Sequence, residues 1–400
     1  MRRAAILGCI VSLMVGCQRG DPAREQAVGS GKPSHAPART EPPAPPPPPA
    51  RPGAPGLPDP LPGTRRDVTA LVGAASRAAI GDFDGDGKRE IALVDATKLR
   101  IVDPAGSELA SVPVTRGIQV LVAADIDGDG HAELFAGWGQ VRDHMDTKAA
   151  ITVHRLEKGT LVEETVLAPE TTRQDVVAIV PMFSSKSVLI AYFDAKYTVT
   201  SVIAHRGAQG WEITKVASLR TATSYASGDV DGDGKPDLVV GRVYGDGIGV
   251  DGDAFVLGPG ETRTPIPTTR GLRSLAVVKG EIFFGDGWHQ NYGANARGLL
   301  TRARHFKDGF QSELVEDTAG QYSIERILPA SIDGTTTIVT MGSAYVRVFS
   351  RAADRWRGLT IAGVARDIAV GDLDDVAGDE ILIVGDRSEI VSLHGVTWPP

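Results

Sequence analysis

An acidic loop of the form Asp-x-Asp-Gly-Asp-Gly recurs along this chain, each time between two short apolar runs, and its spacing restricts the folds open to the sequence. Three copies are complete, at 81–94, 124–137 and 228–241, and a worn fourth lies at 371–385. The apolar run after each loop begins at Ile91, Leu134, Leu238 and Ile381, at intervals of 43, 104 and 143 residues. Those intervals are close to one, two and three periods, so degenerate copies are expected in the gaps. Runs beginning at Val188, Ile282 and Ile338 fill them, each preceded by another apolar run (Val176–Val180, Leu275–Val278 and Ile324–Leu328). Seven anchors therefore recur about every 48 residues, the period of a repeat architecture. The runs have the length of strands, not of helices, and each unit has room for four.

Seven four-stranded units predict an all-β fold, a seven-bladed β-propeller of four-stranded blades, because radial repetition leaves only short, protected sheet edges. A β-solenoid would need shorter repeats. Closure of the ring is a further expectation. Only His394–Pro400 follows Leu393, so the last unit lacks an outer strand, whereas Asp67-Val-Thr-Ala-Leu-Val72 belongs to no unit and is expected to supply it.

The loop places carboxylates at positions 1, 3, 5 and 9. Calcium takes six to eight oxygen ligands; alternate side chains of a tight loop can converge on one ion while the carbonyl at position 7 adds another. Gly at position 6 permits the sharp turn. The expected ligands are Asp82, Asp84, Asp86, the Lys88 carbonyl and Glu90 in the first loop, and Asp125, Asp127, Asp129, the His131 carbonyl and Glu133 in the second. In the third complete loop they are Asp229, Asp231, Asp233, the Lys235 carbonyl and Asp237. An EF-hand is excluded at position 12, which should be Glu but is Leu93, Ala136 and Val240. The pattern instead resembles the FG-GAP/VCBS repeats of integrin α-subunit propellers, across about residues 66–400, with three strong copies and a partial fourth. The resemblance implies a seven-bladed propeller with calcium in hairpin loops on one face. In the worn copy Asp372, Asp374 and Glu380 match positions 1, 3 and 9, and Val376 replaces the central Asp. Clustered carboxylates repel one another without a cation, so the expected role of the ion is to let the turn close.

The segment before the repeats cannot fold by the same rules. Arg2 and Arg3 precede an apolar run, Ala4–Val15, shorter than the roughly 20 residues a membrane-spanning helix needs and suited to a signal-peptide core. It ends in Leu13-Met14-Val15-Gly16-Cys17, which resembles a bacterial lipobox and marks Cys17 for acylation. By resemblance to enterobacterial lipoprotein sorting, Gln18 at the next position, in place of Asp, implies an outer-membrane destination. Residues 1–17 are thus read as a lipoprotein signal, and 18–65 as a disordered linker whose five prolines Pro45–Pro49 favour extended polyproline II. Cys9 leaves with the signal, so the mature chain is expected to have no disulfide. A formal charge of −8 argues against a nucleic-acid partner, which needs a basic face.

On the face opposite the acidic loops, three of the loops after the second strands are long. Trp138–Lys148 carries Trp138, Arg142, Asp143 and His144. Arg242–Asp253 carries Arg242, Tyr244, Asp246, Asp251 and Asp253, and Asp286–Arg297 carries Trp288, His289, Asn291, Tyr292 and Arg297. Aromatic faces beside Arg, His and Asp suit a sugar or peptide site; the alternative is that the aromatics pack the loops down and the charges are solvated. The sequence has no nucleophile elbow and no HExxH motif. The expected function is a monomeric, envelope-anchored module that binds a polysaccharide, peptide or protein, with a carbohydrate lyase or hydrolase as the alternative.

Overall fold

The computed structural model describes residues 56–68, 73–115, 117–139, 149–170, 173–182, 186–194, 198–219, 221–242, 253–258, 261–268, 272–286, 298–318, 322–352, 355–374 and 376–398. These residues build seven antiparallel sheets of four strands, one for each repeat. In the first, the strands Arg77–Gly81, Glu90–Val94, Lys98–Val102 and Glu108–Pro113 succeed one another outward. Every anchor found in the sequence lies in the second strand of its blade: Ile91, Leu134, Val188, Leu238, Ile282, Ile338 and Ile381. Blades one to six follow the chain at 77–113, 117–167, 173–215, 224–266, 272–317 and 324–362. No helix among the described residues is long and apolar enough to cross a membrane.

The second strands are the most enclosed. Glu90–Val94, Glu133–Gly139 and Glu380–Val384 are buried at every position, which is why these runs read as continuous Val, Ile, Leu and Ala instead of alternating. The outermost strands face water, and Gly210–Lys215 has no buried residue.

The seven main apolar clusters each join two neighbouring blades. One links Leu99 and Ile101 of blade one to Leu121 and Leu134 of blade two. Another links Ile91 and Leu93 of blade one to Leu382 and Val384 of blade seven. The core is thus a set of seams between sheets, and no blade can bury its own faces. The glycine that opens the repeat is explained there. A Cβ on Gly371 would lie 2.5 Å from Ile80 Cγ2 in blade one, and one on Gly228 2.5 Å from Val277 Cγ1 in blade five.

Closure differs from expectation in its register. The outer strand of blade seven is Thr64–Asp67, paired antiparallel with Glu389–Ser392 from Thr64↔Ser392 to Asp67↔Glu389. The Val68 amide continues the pairing to the Ser388 carbonyl at 3.0 Å, and the Val68 side chain is buried. The N-terminal stretch does seal the ring, but the strand begins three residues before Asp67, and 69–72 lie outside the described residues. The sequence favoured the apolar end of this stretch, whereas an outermost strand needs backbone pairing more than apolar side chains: Thr64, Arg66 and Asp67 are exposed.

Candidate metal loops and the opposite face

The acidic loops connect the first and second strands of blades one, two, four and seven, and the complete copies share one hydrogen-bond scheme. The carboxylate at position 1 accepts the amides of positions 4 and 6. Gly85 and Gly87 donate to the two Asp82 oxygens at 2.7 and 2.9 Å, Gly128 and Gly130 to Asp125 at 2.7 and 3.0 Å, and Gly232 and Gly234 to Asp229 at 2.7 and 3.0 Å. Both glycines of each loop are in the left-handed region, with φ between 76° and 92°, so position 4 needs glycine as much as position 6. The carboxylate at position 9, buried in the first two loops and half-buried in the third, accepts the amide of position 2: Phe83 to Glu90 at 2.7 Å, Ile126 to Glu133 at 3.1 Å and Val230 to Asp237 at 3.0 Å. At position 7 the amides of Lys88, His131 and Lys235 each donate 2.8 Å bonds to the position-5 carboxylates of Asp86, Asp129 and Asp233.

This scheme gathers negative charge. One ligand atom from each of Asp82, Asp84, Asp86 and Glu90 lies within 4.8 Å of the others, as do those of Asp125, Asp127 and Glu133, and of Asp229, Asp231 and Asp237. Asp129 and Asp233 are not in these close groups. Burial, reinforced by Asp84, Asp82 and Asp86, raises the Glu90 carboxyl to about 7. Burial also raises Glu133, with Asp127 adding to the effect and Arg155 opposing it. Asp237 is raised by burial and by Asp231, Asp233 and Asp229. Asp127 Oδ1 is buried without a hydrogen-bond partner among the described residues. Converging oxygens, a buried carboxylate pushed toward neutrality and an orphaned carboxylate oxygen fit a hard dication. Several acidic clusters can thus bind a metal ion. The first two loops also touch: the Ala132 amide donates to the Asp82 carbonyl at 2.6 Å.

Blade seven departs from this pattern. Leu373 donates to Glu380 at 2.7 Å, as position 2 does elsewhere, but Asp372 is absent from the close group, which is Asp374, Glu380 and His394. His394 lies beyond the last strand, and sequence reasoning missed it.

Of the candidate ligand-binding residues, Arg142, His144, Tyr244, Trp288, His289, Tyr292 and Arg297 lie outside the described residues, as do Asp143, Asp246, Asp251 and Asn291. Trp138 and Arg242 are described, and both are buried. The Trp138 indole donates to Thr152 Oγ1 at 2.6 Å, and Thr152 Oγ1 lies 3.0 Å from His154 Nε2. His154 is fully buried, and burial drives its pKa down to about 4. Arg242 lies at the stem of its loop, where Nε donates to Asp253 Oδ1 at 2.5 Å and a second nitrogen pairs with Oδ2. Its amide also donates to the Asp253 carbonyl at 2.9 Å.

A family model described as FG-GAP-like repeat matches residues 82–136, which span the first two acidic loops. No curated protein matches the chain. Two solved structures similar to it are an S. cerevisiae complex of a Dbp5 variant bound to Nup159, a Gle1 variant, IP6 and ADP, and the N-terminal domain of Nup159. Each has 10% identity and a TM-score of 0.48, over 83% of this chain and 94% of the other. With seven four-stranded sheets built on the sequence period, the chain is a seven-bladed β-propeller that carries an FG-GAP-like repeat over residues 82–136.

Proposed function

We propose that this propeller is an exported, lipid-anchored interaction module, stabilised by calcium in the loops of blades one, two and four, that binds a polysaccharide, peptide or protein at the bacterial envelope. The observation that carries the reading is the division of labour in the ring. Acidic loops of one shared geometry recur between first and second strands, while the aromatic-rich segments 138–148, 242–253 and 286–297 all follow second strands. One set serves the scaffold and the other is free to vary with a partner. Calcium is favoured over a softer metal in blades one, two and four because the gathered side-chain ligand atoms there are all carboxylate oxygens. Cys17 supplies the anchor and 18–63 the spacer, since Thr64 already belongs to the outer strand of blade seven.

The test is a screen of glycans and envelope proteins against the chain from Gln18 onward, with and without calcium. Saturable binding without turnover, weakened by Trp288→Ala, supports the reading. Depolymerisation of a polysaccharide would replace it with a lyase or hydrolase, and no binding in either condition would overturn it. The anchor is tested separately: labelled fatty acid should enter the wild-type protein and not Cys17→Ser.

A further inference from the structure

The loop of blade seven has lost the features that suit the other three to calcium. Val376 stands at position 5, and Asp375 and Ala377 replace the glycines of positions 4 and 6. Asp372 Oδ1 is buried without a hydrogen-bond partner among the described residues. In the complete loops, both oxygens of the position-1 Asp accept backbone amides.

An imidazole is brought to this loop from elsewhere in the chain. His394 Nε2 lies 3.2 Å from Glu380 Oε1, and Nδ1 lies 3.1 Å from Asp333 Oδ1 on the turn joining the first two strands of blade six. The Gly395 amide donates to the other Asp333 oxygen at 2.9 Å, fixing the backbone beside the ring. The Asp379 amide donates to the Ser331 carbonyl at 2.7 Å, and Asp379 Oδ2 accepts the Ser331 amide at 2.6 Å, so the loop and that turn are joined directly. Asp374 completes the group: one ligand atom from each of Asp374, Glu380 and His394 lies within 4.8 Å of the others.

We propose that Asp374, Glu380 and His394 Nε2 form a separate site for a borderline transition-metal dication of the zinc class, not a fourth calcium loop. Calcium selects oxygen, whereas imidazole nitrogen with carboxylates suits zinc and its neighbours. The geometry around the ring agrees. A metal-bound histidine commonly donates its other N–H to a carboxylate, which fixes its tautomer and orientation, and Asp333 stands at Nδ1 for that role. Asp333 is therefore a positioning residue. On binding, the ion replaces the proton between Nε2 and Glu380, and that proton leaves to solvent. The site shares no ligand with the calcium loops, so it stands or falls independently of them.

The experiment uses the full chain with calcium held at saturation, zinc binding by equilibrium dialysis, and the histidine Nε2 resonances by NMR. The expected result is one tight zinc equivalent, with a shift of the His394 Nε2 signal. His394→Ala should lose that equivalent and keep its calcium content. Asp333→Asn should retain the ligands but weaken zinc about 10–100-fold. No tight zinc in the wild type, an unmoved His394 resonance, or zinc retained at full affinity by His394→Ala would each overturn the proposal. The wild-type resonance decides it even if a variant does not fold.

Discussion

Thr64 lies opposite Ser392 in the antiparallel ladder that joins the two ends of the ring. The last blade is therefore complete only with a strand that precedes the first repeat. A chain truncated to start at Gly73 loses the whole outer strand and buried Val68. It should melt several degrees lower, since burial of one valine is worth about 1.5–3 kcal/mol, and it should aggregate through the bare edge at Glu389–Ser392. Melting curves of the truncated and full chains check this; coincident curves would contradict closure by this strand.

Trp138 and Arg242 are predicted to act on stability first. Trp138→Ala should cost about 3–5 kcal/mol, as expected for removal of a large buried aromatic side chain. Arg242→Ala removes charge-assisted hydrogen bonds to Asp253 and should cost about 1.5–3 kcal/mol. Urea unfolding of each variant gives the values; wild-type stability in both would contradict the packing described here.

The buried His154 makes stability depend on pH. Its pKa is near 4 in the fold against 6.5 in the unfolded chain, so between those values the unfolded state binds the extra proton. Stability should therefore fall as pH is lowered from 7 to 4.5, with a total contribution of about 3 kcal/mol. Raised carboxylates such as Glu90 act in the opposite sense, so the informative quantity is the difference between wild type and His154→Gln. A difference that does not change with pH would contradict the assignment.

Glu90 provides that opposite case when calcium is chelated. Its folded pKa of about 7 lies above the ordinary value of 4.5, so the folded state binds the extra proton between them, and stability without metal should rise as pH falls from 7 to 4.5. Glu90→Gln should flatten this slope, stabilise the chelated protein at neutral pH and weaken its response to calcium. Denaturant midpoints across pH in chelator test this, and an unchanged slope in Glu90→Gln would contradict it.

How much of this was legible in the sequence follows from how local each feature is. The loop at Asp82–Glu90 holds its carboxylates within nine consecutive residues, so its pattern was readable, and the second strands were readable because both their faces are buried. The role of Gly85 was missed because position 4 reads as an ordinary turn glycine until its φ is known. Trp138 read as a binding residue because its partners Thr152 and His154 lie on the next strand, more than a dozen residues away. His394 was invisible for the same reason on a larger scale: Glu380 is 14 residues away and Asp333 61, and the Asp333 contact exists only once blades six and seven are side by side.

Calcium content and melting temperature, measured together on the full chain after chelation and during calcium titration, test the central claim most directly. The account predicts three calcium ions per chain, one each in blades one, two and four. It also predicts a melting temperature that rises with calcium, by about 2.7 kcal/mol of stability per site at 100 times the Kd, with Asp127→Ala lowering the count to two. A chain that binds no calcium and melts identically in chelator and in excess calcium would contradict it.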